Sequence, residues 1–170
     1  MKGFSRRWLL RVSALVGASS LLRAQANDRV EYSQFKKETP IAVVYHVDFG
    51  DPARFGQMLT NISNHLSVYD NDAFKIRIAV VAHGAGVHPF LKDLEGTPWS
   101  AIQYDREALF SRIKQLAQLS VEFYICEITF TRNNISKDKL RPDDFIKWVP
   151  SGVGALGELQ ARGYAYIKVG

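Results

Sequence analysis

The feature of this 170-residue sequence that most constrains its fold is an alternation of mainly apolar runs with amphipathic segments. Residues 41–47 and 75–82 are mostly apolar, and such runs are typical of strands covered on both faces. Between the two runs, apolar residues recur at helical spacing, and Asp51 followed by Pro52 is a typical helix start. Strands that alternate with helices form parallel sheets with helices on both faces.

The remainder of the chain continues the alternation. We predict strands and helices at the following positions: strands at 41–47, 75–82, 121–126, 145–149 and 164–169, and helices at 52–68, about 105–119, about 127–133 and from a Ser151 cap to Gly163. Residues 88–104 show no clear period. The sequence therefore predicts the α/β class, as a three-layer α/β/α sandwich with a mainly parallel sheet of about five strands.

The positive charge of the chain is confined to its first 26 residues. The net charge is +5, and residues 1–26 carry five Lys or Arg and no acid, so residues 27–170 hold equal numbers of the two signs. A nucleic-acid-binding surface requires positive charge clustered on the folded body. We therefore expect no nucleic-acid partner.

Residues 1–26 have the features of an export signal. Arg6 and Arg7 precede a weakly apolar stretch at 8–22, and Ala24-Gln25-Ala26 is a small-x-small cleavage signal. The arginine pair resembles a twin-arginine (Tat) signal, and the apolar stretch is too short and too polar for a good membrane span. We expect cleavage after residue 26, a periplasmic product without a stable membrane span, a linker at 27–38 and a domain at 39–170. An uncleaved N-terminal anchor is the alternative.

Candidate site residues lie at the carboxyl ends of the predicted strands, where open parallel sheets bind ligands. Cys126, the one cysteine of the chain, excludes an intramolecular disulfide and a CxxC pair. A helix start after Cys126 would favour the nucleophilic thiolate, whereas Glu127 would favour the neutral thiol. As a nucleophile, Cys126 would accept a sulfane sulfur as a persulfide. The alternative is a small, buried, structural residue.

Three histidines raise the question of a metal site. His46, His83 and His88 would supply three imidazoles, with Cys126 as a fourth ligand. Their spacing matches no known ligand pattern, so we expect no metal. We expect instead that these histidines bond to loop backbone, or that one of them tunes the thiol.

Residues 152–157 match the G-x-G-x-x-G pattern of dinucleotide-binding proteins. No acidic residue about 20 positions further on is present to hold a ribose, so we expect no dinucleotide and no other cofactor. The glycines are instead expected to allow close packing of helix on sheet. The helix start at Ser151 and Gly152 is a candidate site for a small anion.

Several stretches in the same order resemble the DsrE/DsrF-like (YchN-like) family. They are Ile41–Tyr45, Val80–Gly84, Val121–Cys126 and the tail formed by 149–153 and 159–168. The resemblance extends over 40–168 and implies a five-stranded sandwich that assembles into trimers or hexamers. In the sulfur-oxidation members it also implies a cysteine that carries sulfane sulfur, and Cys126 falls at the position of that cysteine.

Taken together with the export signal, the resemblance leads us to expect an exported persulfide carrier or weak sulfurtransferase. Cys126 would carry the sulfur, and His83, at the end of the neighbouring strand, would be the second catalytic residue. Its partners would be sulfur donor and acceptor proteins or small sulfane-sulfur compounds. The sulfur-relay members of the family act in the cytoplasm, so an export signal departs from their pattern. The alternatives are a non-catalytic oligomeric binding or assembly subunit with a structural cysteine, and a small metal- or anion-binding protein.

Overall fold

A parallel sheet forms the centre of the structure. The computed structural model describes residues 27–169, and within them five strands pair in parallel in the order β4-β3-β2-β1-β5. The strands are β1 Ile41–Val47, β2 Ile76–Ala82, β3 Glu122–Cys126, β4 Ile146–Val149 and β5 Ala165–Lys168. The predicted fold class is confirmed, and each predicted strand boundary lies within one residue of the observed one. The predicted export signal lies outside the described residues.

Helices cover both faces of the sheet. They are α1 Pro52–Ser67, α2 Arg106–Gln118, α3 Glu127–Arg132 and α4 Gly152–Ala161. The start of α1 follows the predicted chemistry, because the Asp51 carboxylate accepts hydrogen bonds from the N–H groups of Ala53 and Arg54. No helix within residues 27–169 combines the length and the hydropathy needed to cross a membrane.

The strand alternation separates the core into two layers. In β1, Val43, Tyr45 and Val47 pack with α1 and α2, whereas Ala42 and Val44 pack with α4. Such alternation follows from the two-residue period of a strand. Phe130 of α3 belongs to the first layer, so α1, α2 and α3 lie on one face of the sheet and α4 lies on the other.

The segment 27–38, which the sequence analysis treats as a linker, packs along the β4 edge of the sheet. The Asn27 amide donates to the carbonyls of Arg141, Asp143 and Ile146 at 2.9–3.1 Å. Val30 N–H donates to Trp148 O at 2.8 Å, and Phe35 is buried in the α4 layer. These contacts fix the segment through polar groups that have no periodic signal in the sequence.

Residues 88–104, for which the sequence shows no period, hold the second half of a 3-10 segment and irregular turns. The 3-10 segment runs over Gly84–Phe90. Its Val87, Phe90 and the following Leu91 are fully buried. The segment therefore closes one end of the first core layer directly after β2.

Candidate functional site

At the carboxyl edge of the sheet, the chain leaves the neighbouring strands β3 and β4 toward opposite faces. The chain leaves β3 through α3 on one face and leaves β4 through α4 on the opposite face. Open α/β sheets bind ligands where neighbouring strands diverge in this way. Cys126 is the last residue of β3 and the N-cap of α3, and Ser151 is the N-cap of α4. Both therefore lie at this point of the sheet edge.

The two-residue period of the strands places several polar side chains on the α4 face of this edge. Val44 lies on that face, so His46 follows it there. Tyr124 also lies on that face, and Cys126 follows it in the same way. In the β1–β5 register, Val44 pairs with Tyr166, which brings the Tyr166 hydroxyl to His46.

His83 is positioned by a turn that presses against the end of β1. His83 N–H donates to Val47 O at 3.0 Å. Gly84 has φ +53°, and its N–H donates to Thr129 Oγ1 at 2.9 Å. A Cβ at Gly86 would collide with the Val47 carbonyl group. The two glycines therefore allow a turn that no bulkier residues would form, and that turn holds His83 over the sheet edge.

Gly152 brings His83 and Cys126 together. A Cβ on Gly152 would lie 2.8 Å from His83 Cβ and 3.2 Å from Cys126 Cβ. The first residue of α4 is therefore flanked by both side chains, and only a glycine leaves them room. The structure thus brings together three predicted site residues, Cys126, His83 and Gly152. The Cys126 side chain is buried, with 4% of the residue exposed.

A second group of polar side chains adjoins His83. His83 Nε2 lies 2.7 Å from His46 Nε2, and the two imidazole rings are stacked with centroids 4.8 Å apart. His46 Nδ1 lies 2.6 Å from Tyr166 Oη. Asp48 Oδ2 lies 3.9 Å from His46 Nε2. We refer to His46, Asp48 and His83 as the histidine–aspartate cluster.

Comparison with known proteins identifies the family. The family model of the DsrE/DsrF-like family matches residues 41–169. The chain belongs to the DsrE/DsrF-like family. The solved structure of a protein of unknown function from Methanobacterium thermoautotrophicum, MTH1491, is similar to it, with 27% sequence identity and a TM-score of 0.58. That similarity covers 75% of this chain and 98% of MTH1491. No curated protein sequence matches this one.

Burial determines the charge state of the two stacked histidines in this DsrE/DsrF-like protein. Burial lowers the pKa of His46 and of His83 from its ordinary value, and the nearby Asp48 carboxylate only partly opposes this effect. Both imidazoles are therefore neutral at neutral pH. A neutral imidazole offers one nitrogen lone pair, which can accept a proton or bind a metal ion.

Glu127, beside Cys126, is compensated by two cations. Its carboxylate accepts hydrogen bonds from Arg29 Nε at 2.9 Å and from Lys137 Nζ at 2.6 Å. Burial alone would raise the pKa of Glu127, but the hydrogen bonds from Lys137 and Arg29 outweigh burial and lower it. The carboxylate next to Cys126 is therefore paired with two cations from distant parts of the chain, a pairing that does not follow from the sequence.

His88 lies apart from the other two histidines considered as metal ligands. It is 1% exposed, and its Nε2 donates to Gly50 O at 3.2 Å. Its Nδ1 then accepts from the Tyr104 hydroxyl at 2.9 Å. Burial lowers the pKa of His88 to about 4. The arrangement fits the expectation of a histidine bonded to loop backbone, and His88 takes no part in the site.

Ser151, a candidate for anion binding, uses its polar groups within the protein. Its hydroxyl accepts from Gly154 N–H at 3.3 Å. Its backbone N–H donates to Tyr32 Oη at 3.0 Å, and the Tyr32 hydroxyl donates to Ser151 O at 2.9 Å. A Cβ at Gly154 would collide with that hydroxyl, whereas Gly157 has open space around it. Gly152 and Gly154 of the G-x-G-x-x-G match thus allow close packing. Anion binding at Ser151 and Gly152 stays a prediction.

Sequence reasoning missed Asp48 and Tyr166 as neighbours of the two histidines. Asp48 directly follows β1, where it is expected to end the strand. Tyr166 lies in β5, which is last in the chain but pairs with β1. The two-residue strand period, combined with the order of the strands in the sheet, would predict that Asp48 and Tyr166 lie beside the histidines. The strand order does not follow from the sequence, because the chain crosses back over the sheet after β4 and places β5 beside β1.

Proposed function

We propose that this DsrE/DsrF-like protein is an exported carrier of sulfane sulfur, with Cys126 as the residue that holds the sulfur. Family membership supports a sulfur-relay type of role. One observation supports Cys126 as the residue that holds the sulfur. Cys126 lies at the carboxyl end of β3, where it and His83 both flank Gly152. A nucleophile and a neutral base thus adjoin at the edge where α/β sheets bind ligands.

The proposed loading step is a thiol–persulfide exchange. The Cys126 thiolate attacks the terminal sulfur of a donor persulfide, R–S–SH. A new S–S bond forms at Cys126 Sγ, the donor S–S bond breaks, and its electron pair leaves on the donor thiolate, R–S⁻. The products are Cys126–S–SH and R–S⁻, so no external oxidant or reductant is needed. An acceptor thiolate removes the sulfur by the same exchange in reverse.

His83 is the proposed acceptor of the Cys126 proton. The thiolate is the nucleophilic form of cysteine. A neutral imidazole beside the thiol can accept its proton and hold it within the site. The lowered pKa of His83 keeps its imidazole neutral at neutral pH. A lowered pKa also makes the imidazole of His83 a weaker base, so it accepts a proton less readily. This balance supports a carrier that loads slowly rather than a fast sulfurtransferase.

Mass measurement of the intact protein tests this proposal. Incubation with polysulfide should add about 32 Da, the mass of one sulfur atom, or a multiple of it. Cys126→Ser should abolish the adduct while leaving the far-ultraviolet circular dichroism unchanged, because serine is nearly isosteric. His83→Gln should slow the loading without abolishing it. Absence of an adduct on the wild-type protein would contradict the proposal.

The rival function is an oligomeric binding or assembly subunit in which Cys126 is structural. The burial of Cys126 favours it, since only 4% of the residue is exposed. Alkylation of the native protein with iodoacetamide separates the two functions. A carrier should react at Cys126 in the native state, whereas a structural cysteine should react only after unfolding in denaturant.

We further propose that the protein forms a homotrimer or homohexamer. Several apolar side chains of the described residues are exposed, among them Phe74 at 89%, Val153 at 65% and Tyr166 at 40%. Val153 follows Gly152, so an interface that includes it would adjoin the site. Light scattering should give three or six times the chain mass, and a monomer at micromolar concentration would contradict the proposal.

A further inference from the structure

We infer that the histidine–aspartate cluster of His46, Asp48 and His83 is a binding site for a divalent transition-metal ion. This inference shares His83 with the sulfur-carrier proposal, but the observations behind it do not involve Cys126. It departs from the expectation that the chain has no metal site, because that expectation depends on spacing along the sequence. The three residues come from the end of β1 and from the turn after β2, and only the fold brings them together.

The ligand atoms are close enough to share one ion. One ligand atom from each of His46, Asp48 and His83 lies within 4.8 Å of the other two. Zinc binds nitrogen and carboxylate oxygen at about 2.0–2.2 Å, so tetrahedral ligand atoms are separated by about 3.4 Å. The observed separations of 2.7 Å between the two Nε2 atoms and 3.9 Å from His46 Nε2 to Asp48 Oδ2 lie on either side of that value. Small side-chain rotations would therefore complete the geometry.

The hydrogen bond from His46 to Tyr166 favours the tautomer that a metal requires. If His46 Nδ1–H donates to Tyr166 Oη, 2.6 Å away, then Nε2 carries the lone pair and faces the cluster. Histidines that bind metals almost always donate their second ring nitrogen to such a partner. The proton on His46 Nδ1 thereby leaves the lone pair on Nε2, which accepts a hydrogen bond from His83 Nε2–H at 2.7 Å. An ion that binds both Nε2 atoms takes the place of that proton, which His83 then carries on Nδ1. Tyr166 is accordingly a positioning residue and not a ligand.

The donor set defines the class of metal. Two imidazoles and one carboxylate are the ligands of His₂-carboxylate zinc sites and of 2-His-1-carboxylate iron sites. These sites keep a coordination position open for water or for another ligand. The Asp48 side chain is 47% exposed, so the cluster opens to solvent on that side. The cluster therefore suits a divalent first-row ion with an exchangeable fourth ligand, which Zn²⁺ represents in a test.

The charge balance around the cluster depends on Asp48. Lys168 pairs with His46 in the β1–β5 register, and its positive charge acts on the imidazole. The Asp48 carboxylate offsets that charge and supplies the negative ligand. Because Asp48 is exposed and lies outside the core, its replacement should change metal binding without unfolding the protein. It is consequently the most informative position for a substitution.

Calorimetric titration of the chelator-treated, full-length chain with Zn²⁺ tests the inference. We expect one ion per chain. Asp48→Asn and His46→Ala should each weaken the affinity at least about tenfold, and Tyr166→Phe should weaken it by about tenfold through loss of the positioning hydrogen bond. His65→Ala is the matched control, because His65 lies on α1 and bonds to the Tyr45 hydroxyl on the opposite face of the sheet from the cluster. Its affinity should equal that of the wild type.

Cobalt spectroscopy distinguishes this site from one built on the thiol. Co²⁺ bound to the cluster should give visible d–d absorption without a thiolate-to-cobalt charge-transfer band. Cys126→Ser should leave both the spectrum and the Zn²⁺ affinity unchanged. A wild-type protein that binds no Zn²⁺, an Asp48→Asn protein that binds it as tightly as the wild type, or a charge-transfer band that disappears in Cys126→Ser would each overturn the inference. None of these outcomes depends on whether Cys126 accepts sulfur.

Discussion

Gly152 lies so close to His83 that a single added methyl group would not fit between them. The Cβ of an alanine at this position would lie 2.8 Å from His83 Cβ and 3.2 Å from Cys126 Cβ. Neither neighbour is the free end of a flexible side chain, so the backbone of α4 or of the β2 turn must shift. We expect Gly152→Ala to lower the free energy of unfolding by about 1–3 kcal/mol, as overpacking does elsewhere. Urea denaturation measures this change.

Gly157→Ala is the matched control for that substitution. Gly157 lies in the same helix, and a Cβ there would meet nothing within 4 Å. Alanine should raise the free energy of unfolding by about 0.5–1 kcal/mol, because it reduces the backbone freedom of the unfolded chain. Equal effects of the two substitutions would show that helix propensity, and not the contact with His83 and Cys126, determines the residue at position 152.

A second prediction concerns the hydroxyl of Tyr32, which joins the N-terminal segment to the start of α4. The hydroxyl accepts a hydrogen bond from Ser151 N–H and donates one to Ser151 O. Each such bond contributes about 0.5–1.5 kcal/mol net, so loss of both in Tyr32→Phe should destabilise the protein by about 1–3 kcal/mol. Hydrogen exchange at Val30 N–H, which bonds to Trp148 O, should become faster as the segment loosens.

Tyr69→Phe is the control for Tyr32→Phe. Within residues 27–169, the Tyr69 hydroxyl has no hydrogen-bond partner, and its ring packs against His65. Its removal should leave the stability nearly unchanged. A stability of Tyr32→Phe equal to that of Tyr69→Phe would contradict the role of residues 27–38 as a packed part of the domain.

The elements of this fold are predictable from the sequence because each has a local cause. The apolar run of β1 and the Asp51-Pro52 start of α1 are such causes, and the observed boundaries follow them. The site is only partly predictable, because proximity across the sheet depends on strand order. Cys126 and His83 are predictable from strand ends. The position of Tyr166 depends on the pairing of β5 with β1, and the closeness of Asp48 to His83 depends on the pairing of β1 with β2.

Residues 27–38 show a different limit of prediction from sequence. Their attachment depends on the Asn27 amide and the Tyr32 hydroxyl, which bond to backbone groups of residues more than 110 positions away. Single polar contacts of this kind have no period along the sequence, and an asparagine such as Asn27 is also typical of turns. Hydrophobic periodicity therefore identifies the core of this protein, but not the polar contacts that fix its edges.

A third prediction concerns export. Replacing the arginine pair, Arg6→Lys together with Arg7→Lys, retains the charge but removes both guanidinium groups, which differ from ammonium groups in geometry and hydrogen bonding. If the pair is a Tat signal, the substituted precursor should stay in the cytoplasm. Cell fractionation followed by intact-mass measurement tests this expectation, and the exported wild type should begin near Asn27. Arg23→Lys is the control and should be exported normally. Export of the double variant at the wild-type level would contradict the Tat assignment.

The last prediction concerns the acid sensitivity of the fold, in which His88 has the largest part. Burial lowers the pKa of His88 to about 4 in the folded state, against about 6.5 in the unfolded chain. Above about pH 6.5 the residue is neutral in both states, and its full contribution is present. As the pH falls from about 6.5 to 4, the unfolded chain binds a proton that the folded protein does not, so stability is lost. Between pH 7.5 and 5 the loss should be about 2 kcal/mol.

Urea denaturation at the two pH values measures that loss, and two variants assign it. His88→Gln removes the titrating group, so the loss of stability on acidification should shrink by about 2 kcal/mol. The remainder should come from His46 and His83, whose pKa values are lowered in the same direction. Tyr104→Phe removes the hydroxyl that bonds to His88 Nδ1 but keeps the buried imidazole, so it should lower stability at both pH values and retain the acid sensitivity. If His88→Gln were as acid-sensitive as the wild type, the buried imidazole would not be the source of the effect.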